Sequence, residues 1–158
     1  MVIIILGSKS DLNWGNEIIK HLENFHVSYK IHIASAHKSP QFLISILEKY
    51  ELSSQPVVYI CVAGRSNALG GLVDGQVTAP VINCPPRSND YAGLDILSSL
   101  RVPSGIGSAT VLEPDQAALI ALKILALANQ KLRNKVSQYQ KKLKEIINKS
   151  NQKINNSR

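Results

Sequence analysis

Short apolar runs alternate with helical patterns along most of this chain, and that alternation limits its possible folds more than any other feature. Residues 2–6 and 57–63 are continuous apolar runs, a pattern typical of strands buried on both faces. Further strands are predicted at 29–34, 80–83 and 107–111, and helices at 12–25, 40–50, 68–76, 90–100 and, as a long final helix, from Pro114 onward. This alternation predicts a parallel sheet between two helical layers, a three-layer α/β/α sandwich of the flavodoxin-like or Rossmann-like kind.

The basic character of the chain is confined to its C-terminal end. The 158 residues, enough for one domain with a full core, carry a formal net charge of +7. Residues 129–158 hold nine Lys or Arg against one acidic residue, whereas residues 1–128 hold nine against ten. This predicts a nearly neutral body at 1–128 followed by a basic helix and tail at 129–158. The tail has a single aromatic residue, Tyr139, and no nucleic-acid-binding motif, so we interpret it as a solvated helix and expect no nucleic-acid partner.

The apolar segments argue against a membrane or secreted protein. Residues 1–6 are too short for a signal peptide, and the longest apolar stretch, 117–128, is interrupted by Lys123 and too short for a bilayer. We therefore predict a cytoplasmic protein without a membrane partner. Cys61 and Cys84 lie in strand-like runs and are predicted to be reduced core thiols, because no cysteine or histidine spacing fits a metal site. The stretch 117–128 is apolar almost all round, which predicts that another subunit covers it.

Three polar segments lie at or near the ends of predicted strands. They are S-A-H-K-S-P at 35–40, A-G-R-S-N at 63–67 and S-L-R-V-P-S-G-I-G at 99–107. The carboxyl ends of parallel strands meet at one edge of a sheet, where open α/β folds bind their ligands. One histidine and three cations would gather there among small residues. The pattern predicts a site for an anionic small molecule from which a proton is moved.

Individual side chains in these loops suggest particular roles. Ser8 and the start of the following helix suit a phosphate, and Asp11 can accept both hydroxyls of a ribose, although an ordinary helix cap is the alternative. His37, in a strand-to-helix turn, suits a general base or acid near neutral pH, with a helix-capping role as the alternative. Arg65 follows a buried strand and is well placed to bind a carboxylate or phosphate.

The segments at 7–11 and 35–40, together with the glycine-rich segment after the third strand, resemble the aminoimidazole ribonucleotide (AIR) carboxylase family of purine biosynthesis. The resemblance covers about residues 1–130, with several motifs in the right order. It implies an AIR carboxylase domain at 1–128.

The family has two classes, and the loops of this chain are similar to the second. The first, a mutase acting on N5-carboxyaminoimidazole ribonucleotide, usually reads S-A-H-R-T-P and G-A-G-G-A-A-H-L-P-G. This chain has Lys38 in place of that arginine and A-G-R-S-N-A-L-G at 63–70, without the second histidine. Together with N-C-P-P at 83–86 and S-S-L-R-V-P-S-G at 98–105, this resembles the carboxylase that takes CO2 directly, as in the bifunctional animal enzyme. The fused synthetase domain is missing, so a free-standing carboxylase is expected.

The resemblance implies an ATP-independent, reversible carboxylation of AIR at C4 by CO2, without cofactor or metal. It implies that His37 transfers the proton. It places the substrate in contact with Ser8, Asp11, Ser35, Lys38, Gly64, Arg65, Ser66 and Asn67. In this set Ser8 and Lys38 would bind the phosphate, Asp11 the ribose, and residues 64–67 would shape the CO2 pocket. It further implies a homo-octamer, or at least a tetramer. The alternatives are the mutase reaction and a non-catalytic nucleotide-binding module.

Overall fold

The computed structural model describes residues 1–156, which form one five-stranded, fully parallel sheet. The strands are β1 (Val2–Leu6), β2 (Tyr29–Ile33), β3 (Val58–Val62), β4 (Val81–Asn83) and β5 (Ala109–Thr110). Their order across the sheet is β2-β1-β3-β4-β5. Every residue of β1 and β3 is buried, as their continuous apolar runs predict. The predicted parallel, flavodoxin-like sheet is confirmed.

The helices cover both faces of this sheet. They are α1 (Leu12–Asn24), α2 (Pro40–Glu51), α3 (Ala68–Asp74), α4 (Leu97–Leu100), α5 (Pro114–Ala126) and α6 (Gln130–Asn156), with 3-10 segments at Lys9–Asp11 and Asp90–Ile96. Proline opens α2 and α5, where its missing N–H costs no hydrogen bond. The helix predicted at 90–100 is broken because Tyr91, Ala92 and Gly93 all adopt left-handed backbone angles. The long final helix predicted from Pro114 is likewise two helices, α5 and α6.

Alternate side chains of the central strand enter two separate cores. Ile4 and Leu6 of β1 pack in one core with apolar residues of α1 and α5. Ile3 and Ile5 pack in the other with residues of α2 and α3. A strand that feeds two helical layers in this way is the centre of a three-layer sandwich, as predicted.

The apolar helix α5 is covered largely by its own chain. Ala118, Ala121 and Leu122 are buried between the sheet, α1 and α6. The chain turns after α5, and the first half of α6 folds back so that Leu132 and Val136 complete this core. The sequence predicted that another subunit covers this helix, but most of it is covered by its own chain. The apolar pattern indicates that a helix is buried and does not indicate which element buries it. From residue 140 onward, α6 is exposed.

Both cysteines are free, buried thiols, as predicted. Burial raises the pKa of Cys84 to about 12, and burial raises the pKa of Cys61 still further above its ordinary value. Both thiols are consequently neutral core side chains near pH 7. Among residues 1–156, no helix combines the length and apolarity that crossing a bilayer would need.

Candidate active site

The loops that follow β1, β2 and β3 leave the sheet side by side. Leu6 at the end of β1 is in register with Ile33 on one side and Val62 on the other. Backbone hydrogen bonds continue this pairing past the strands: Ala34 N donates to Leu6 O over 2.9 Å, and Gly7 N donates to Val62 O over 2.8 Å. This is the point where the strand order reverses, at which doubly wound sheets bind ligands. The structure thus brings three of the predicted loops together.

The loop after β1 is a compact capping turn. The Ser8 backbone N–H and hydroxyl both donate to Asp11 Oδ2, over 2.9 and 3.2 Å, and the hydroxyl also bonds the Ser10 hydroxyl. This reciprocal arrangement opens the 3-10 turn that leads into α1. Gly7 allows a close approach, since a Cβ there would lie 3.2 Å from Ala63 Cβ. Ser8 and Asp11 are therefore fixed together beside the loop after β3, and this bonding matches the capping hypothesis.

The loop after β2 is held by short-range hydrogen bonds. Ser39 N donates to Ser35 O over 3.0 Å, Ser35 N donates to Ser39 Oγ over 3.1 Å, and Lys38 N donates to Ser35 Oγ over 3.2 Å. These bonds form a closed turn that exposes His37 and Lys38. Within residues 1–156, no hydrogen bond or ion pair occupies the His37 imidazole or the Lys38 ammonium. Both groups are accessible to an anionic substrate.

A half-buried histidine in β2 links this side of the sheet to α2. His32 Nε2 forms a 2.8 Å hydrogen bond with Tyr50 OH, which links β2 to the end of α2. Burial, and to a lesser extent the charges of Lys49 and Lys30, lower the pKa of His32 below its ordinary value. The His32 ring is thus kept neutral near pH 7 in a structural position.

The loop after β3 presents its one cation to solvent. The Arg65 side chain is 87% exposed and its Nε lies 3.3 Å from Asp90 Oδ2. An exposed ion pair of this kind contributes little stability, so an incoming carboxylate can replace Asp90. Cavities of about 680 and 420 Å³ adjoin Arg65, one reaching Tyr91 and Ser98 and the other reaching Pro86. The space beside the loop is sufficient for a small molecule.

Asn67 differs from its neighbours in this loop. It is only 5% exposed, and its side-chain nitrogen donates to Ser99 Oγ over 2.8 Å. Its side-chain oxygen accepts from Gly70 N at 3.5 Å, which caps the start of α3. Asn67 therefore shapes the loop from within the protein, whereas Ser66 is exposed.

Sequence reasoning missed two residues that hold the loop after β3. Asp95 and Ser98 bond its backbone from about thirty residues further along the chain. Ser98 stands directly before Ser99, but nothing in the sequence indicates that its hydroxyl bonds the backbone of Arg65 and Asn67. Of the segment predicted at 99–107, Ser99 joins this network, whereas Gly107 N bonds Asp74 Oδ2 at the end of α3. The cation of that segment, Arg101, is exposed at the end of α4.

Comparison with known proteins identifies the family. The family described as AIR carboxylase matches residues 1–146. This chain belongs to the AIR carboxylase family. Among its relatives, phosphoribosylaminoimidazole carboxylase of Treponema denticola is 48% identical over 139 residues, covering 88% of this chain and 87% of the relative. The enzyme of the same name from Archaeoglobus fulgidus is 43% identical over 152 residues, covering 96% and 83%.

A solved structure agrees with this assignment. The crystal structure of Treponema denticola PurE matches with a TM-score of 0.94 and 45% identity over 96% of both chains. The family resemblance based on the loop motifs and the fold predicted from the alternating strands and helices are therefore confirmed. Within residues 1–156 of this AIR carboxylase family member, no three His, Cys, Asp or Glu side chains gather as they would around a metal ion.

Proposed function

We propose that this chain carboxylates AIR at C4 with CO2, reversibly and without ATP, to give 4-carboxy-5-aminoimidazole ribonucleotide in purine biosynthesis. The main support is the meeting of three loops beside β1, which carry His37, Arg65 and the Ser8–Asp11 pair, in a member of the AIR carboxylase family. The relatives named above carry the name of this activity.

Each loop supplies one part of the binding site in this proposal. Ser8 and Lys38 bind the 5′-phosphate: the exposed Lys38 ammonium is its counter-charge, and the Ser8 hydroxyl turns from Asp11 to donate to the phosphate. Asp11 accepts the ribose hydroxyls; its bonds to Ser8 fall on Oδ2, which leaves Oδ1 for the substrate. Ser35 fixes the Lys38 backbone and thereby orients the phosphate contact. Gly64, Arg65, Ser66 and Asn67 form the pocket for CO2 and the new carboxylate.

The chemistry requires one base and no external electron source. The 5-amino group of AIR makes C4 an enamine carbon, so C4 bonds to the carbon of CO2 as one C–O π bond opens into a carboxylate. C4 then carries both a proton and the carboxylate, and the ring is no longer aromatic. The His37 imidazole takes this proton, and the C–H electron pair returns to the ring. The protein accelerates the step by holding CO2 against C4 and by placing Arg65 and backbone N–H groups near the growing charge.

The competing mutase reaction differs in its substrate. That reaction must accept a carbamate on the amine, release CO2 within the site and attach it at C4. Arg65 and Ser66 stand where the mutase loop has small residues, and we expect them to narrow the space around the amine. Supplying AIR or N5-carboxyaminoimidazole ribonucleotide separately at low CO2 tests the assignment. We expect turnover of AIR that rises with bicarbonate, needs no ATP and runs in both directions; rapid conversion of the N5-carboxy compound alone would contradict it.

We also propose a homo-oligomer, an octamer or at least a tetramer, in the cytoplasm. The support is a set of exposed apolar side chains between 55 and 86% accessible on one segment, namely Tyr91, Leu94, Leu97 and Leu100. Their segment adjoins Arg65, so a subunit contact there would enclose the site. Light scattering at micromolar concentration tests this, and a stable monomer would contradict it.

A further inference from the structure

The backbone of Arg65 adopts an unusual conformation at the proposed CO2 pocket. Its φ is 59°, in the left-handed region that few residues other than glycine occupy. Such conformations persist when surrounding contacts determine them, and they cluster where a side chain must be aimed. The question is which contacts hold Arg65 in this state.

A segment thirty residues away supplies those contacts. Asp95 Oδ2 accepts from Arg65 N at 3.2 Å, and Ser98 Oγ donates to Arg65 O at 2.7 Å. Both polar groups of the Arg65 backbone are therefore bonded to the same short segment. Ser98 Oγ also accepts from Asn67 N at 3.1 Å, which fixes the loop on the other side of Ser66.

The Ser98 hydroxyl is the centre of this clamp. Its single proton is shared between Arg65 O and Asp95 O, the latter 2.8 Å away, while its lone pair accepts from Asn67. Ser99 completes the attachment through Asn67 Nδ2. Removing the Ser98 hydroxyl would release the loop at two points and leave Arg65 without the carbonyl contact that favours its left-handed state.

We propose that Ser98, assisted by Asp95, is a positioning residue for carboxylation. Resting on the proposed function, this assigns Ser98 the task of holding Arg65 left-handed, so that its guanidinium points at CO2. Ser98 does not touch the substrate. The loops that hold the phosphate and ribose have their own hydrogen bonds, so AIR binding does not depend on this clamp.

The test measures the KM for CO2 and the KM for AIR separately in Ser98→Ala. Loss of one neutral hydrogen bond predicts a roughly three- to tenfold rise in the KM for CO2, with the KM for AIR unchanged. Ser98→Thr keeps the hydroxyl and should restore the wild-type value. Ser45→Ala is the matched control, because the Ser45 hydroxyl makes a similar 2.8 Å bond to Phe42 O on α2. Because Ser45 is exposed within α2, Ser45→Ala should change stability little and should leave both KM values unchanged.

A double variant separates positioning from general stabilisation. If Ser98 acts through Arg65, adding Ser98→Ala to Arg65→Ala should raise the KM for CO2 no further. An equal rise in both backgrounds, an unchanged KM for CO2 in Ser98→Ala, or a crystal structure of that variant with Arg65 still left-handed would overturn the proposal. Wild-type protein that does not carboxylate AIR would instead overturn the proposed function, so the two failures are distinguishable.

Discussion

The loop after β2 and the loop after β3 reach the same edge of the sheet but are held there in different ways. The first is closed by Ser35 and Ser39, which lie within five positions of each other and bond across the turn. The second is held by Asp95 and Ser98, about thirty residues away in sequence. In the proposed reaction the first loop handles the proton and the second handles CO2. Substitutions within the loop after β2 should therefore be the ones that disturb it. The loop after β3 should also be disturbed by substitutions far away in sequence.

The largest effect is expected from His37→Asn, which removes the proposed base from the loop after β2. Turnover should fall by about 10²–10⁴-fold, because only the proton transfer is lost. AIR binding by calorimetry and the unfolding transition should be unchanged, since His37 is exposed. His26→Asn is the control: His26 is also exposed, and its φ of 54° suits asparagine. Near-normal turnover in His37→Asn would mean that the base lies elsewhere.

A substitution in α3, the helix that follows the second of these loops, should lower stability through packing. A Cβ on Gly70, in α3, would overlap the buried Asn83 side chain of β4. Because either the buried Asn83 side chain, which is bonded to Ser108, or α3 itself must move, Gly70→Ala should lower the free energy of unfolding by roughly 1–3 kcal/mol. Gly71→Ala is the matched control on the same helix, where a Cβ would meet nothing within 4 Å. Equal stability of the two variants in urea unfolding would contradict this account of how α3 and its loop are anchored.

This contrast also explains what the sequence could and could not predict. The buried strands and the turn around His37 depend on neighbouring residues, so apolar runs and a Ser–Pro boundary were sufficient to predict them. The partners of Arg65 and Asn67 are fixed by tertiary contacts, and no local pattern identifies them. The same limitation applies to α5: its apolar surface predicted cover, but only the structure shows that α6 folds back onto it.

A smaller effect is expected from His32 in β2, whose contribution to the free energy of unfolding should depend on pH. The pKa of His32 is lowered, chiefly by burial and then by Lys49 and Lys30. As the pH falls below about 6.5, the unfolded chain takes up a proton that the folded protein resists, so stability is present above that pH and is lost toward the folded pKa. His32→Gln should flatten this part of the stability profile in urea unfolding. Tyr50→Phe should keep the slope, because burial remains; an unchanged slope in His32→Gln would contradict the assignment.

The smallest effect is expected from deleting residues 150–158. The part of this stretch that the structure describes, up to Asn156, is the exposed end of α6, whereas the core contacts of that helix come from Leu132 and Val136. Surface changes of this kind usually alter stability by less than about 0.5 kcal/mol. The deletion should change neither the loop after β2 nor the loop after β3. The KM values for AIR and for CO2 should therefore both match those of the full chain. Steady-state kinetics combined with light scattering measures this. If the KM for CO2 alone rises as the assembly dissociates, the loop after β3 also depends on subunit contacts made by the end of α6, and the contrast between the two loops extends beyond a single chain.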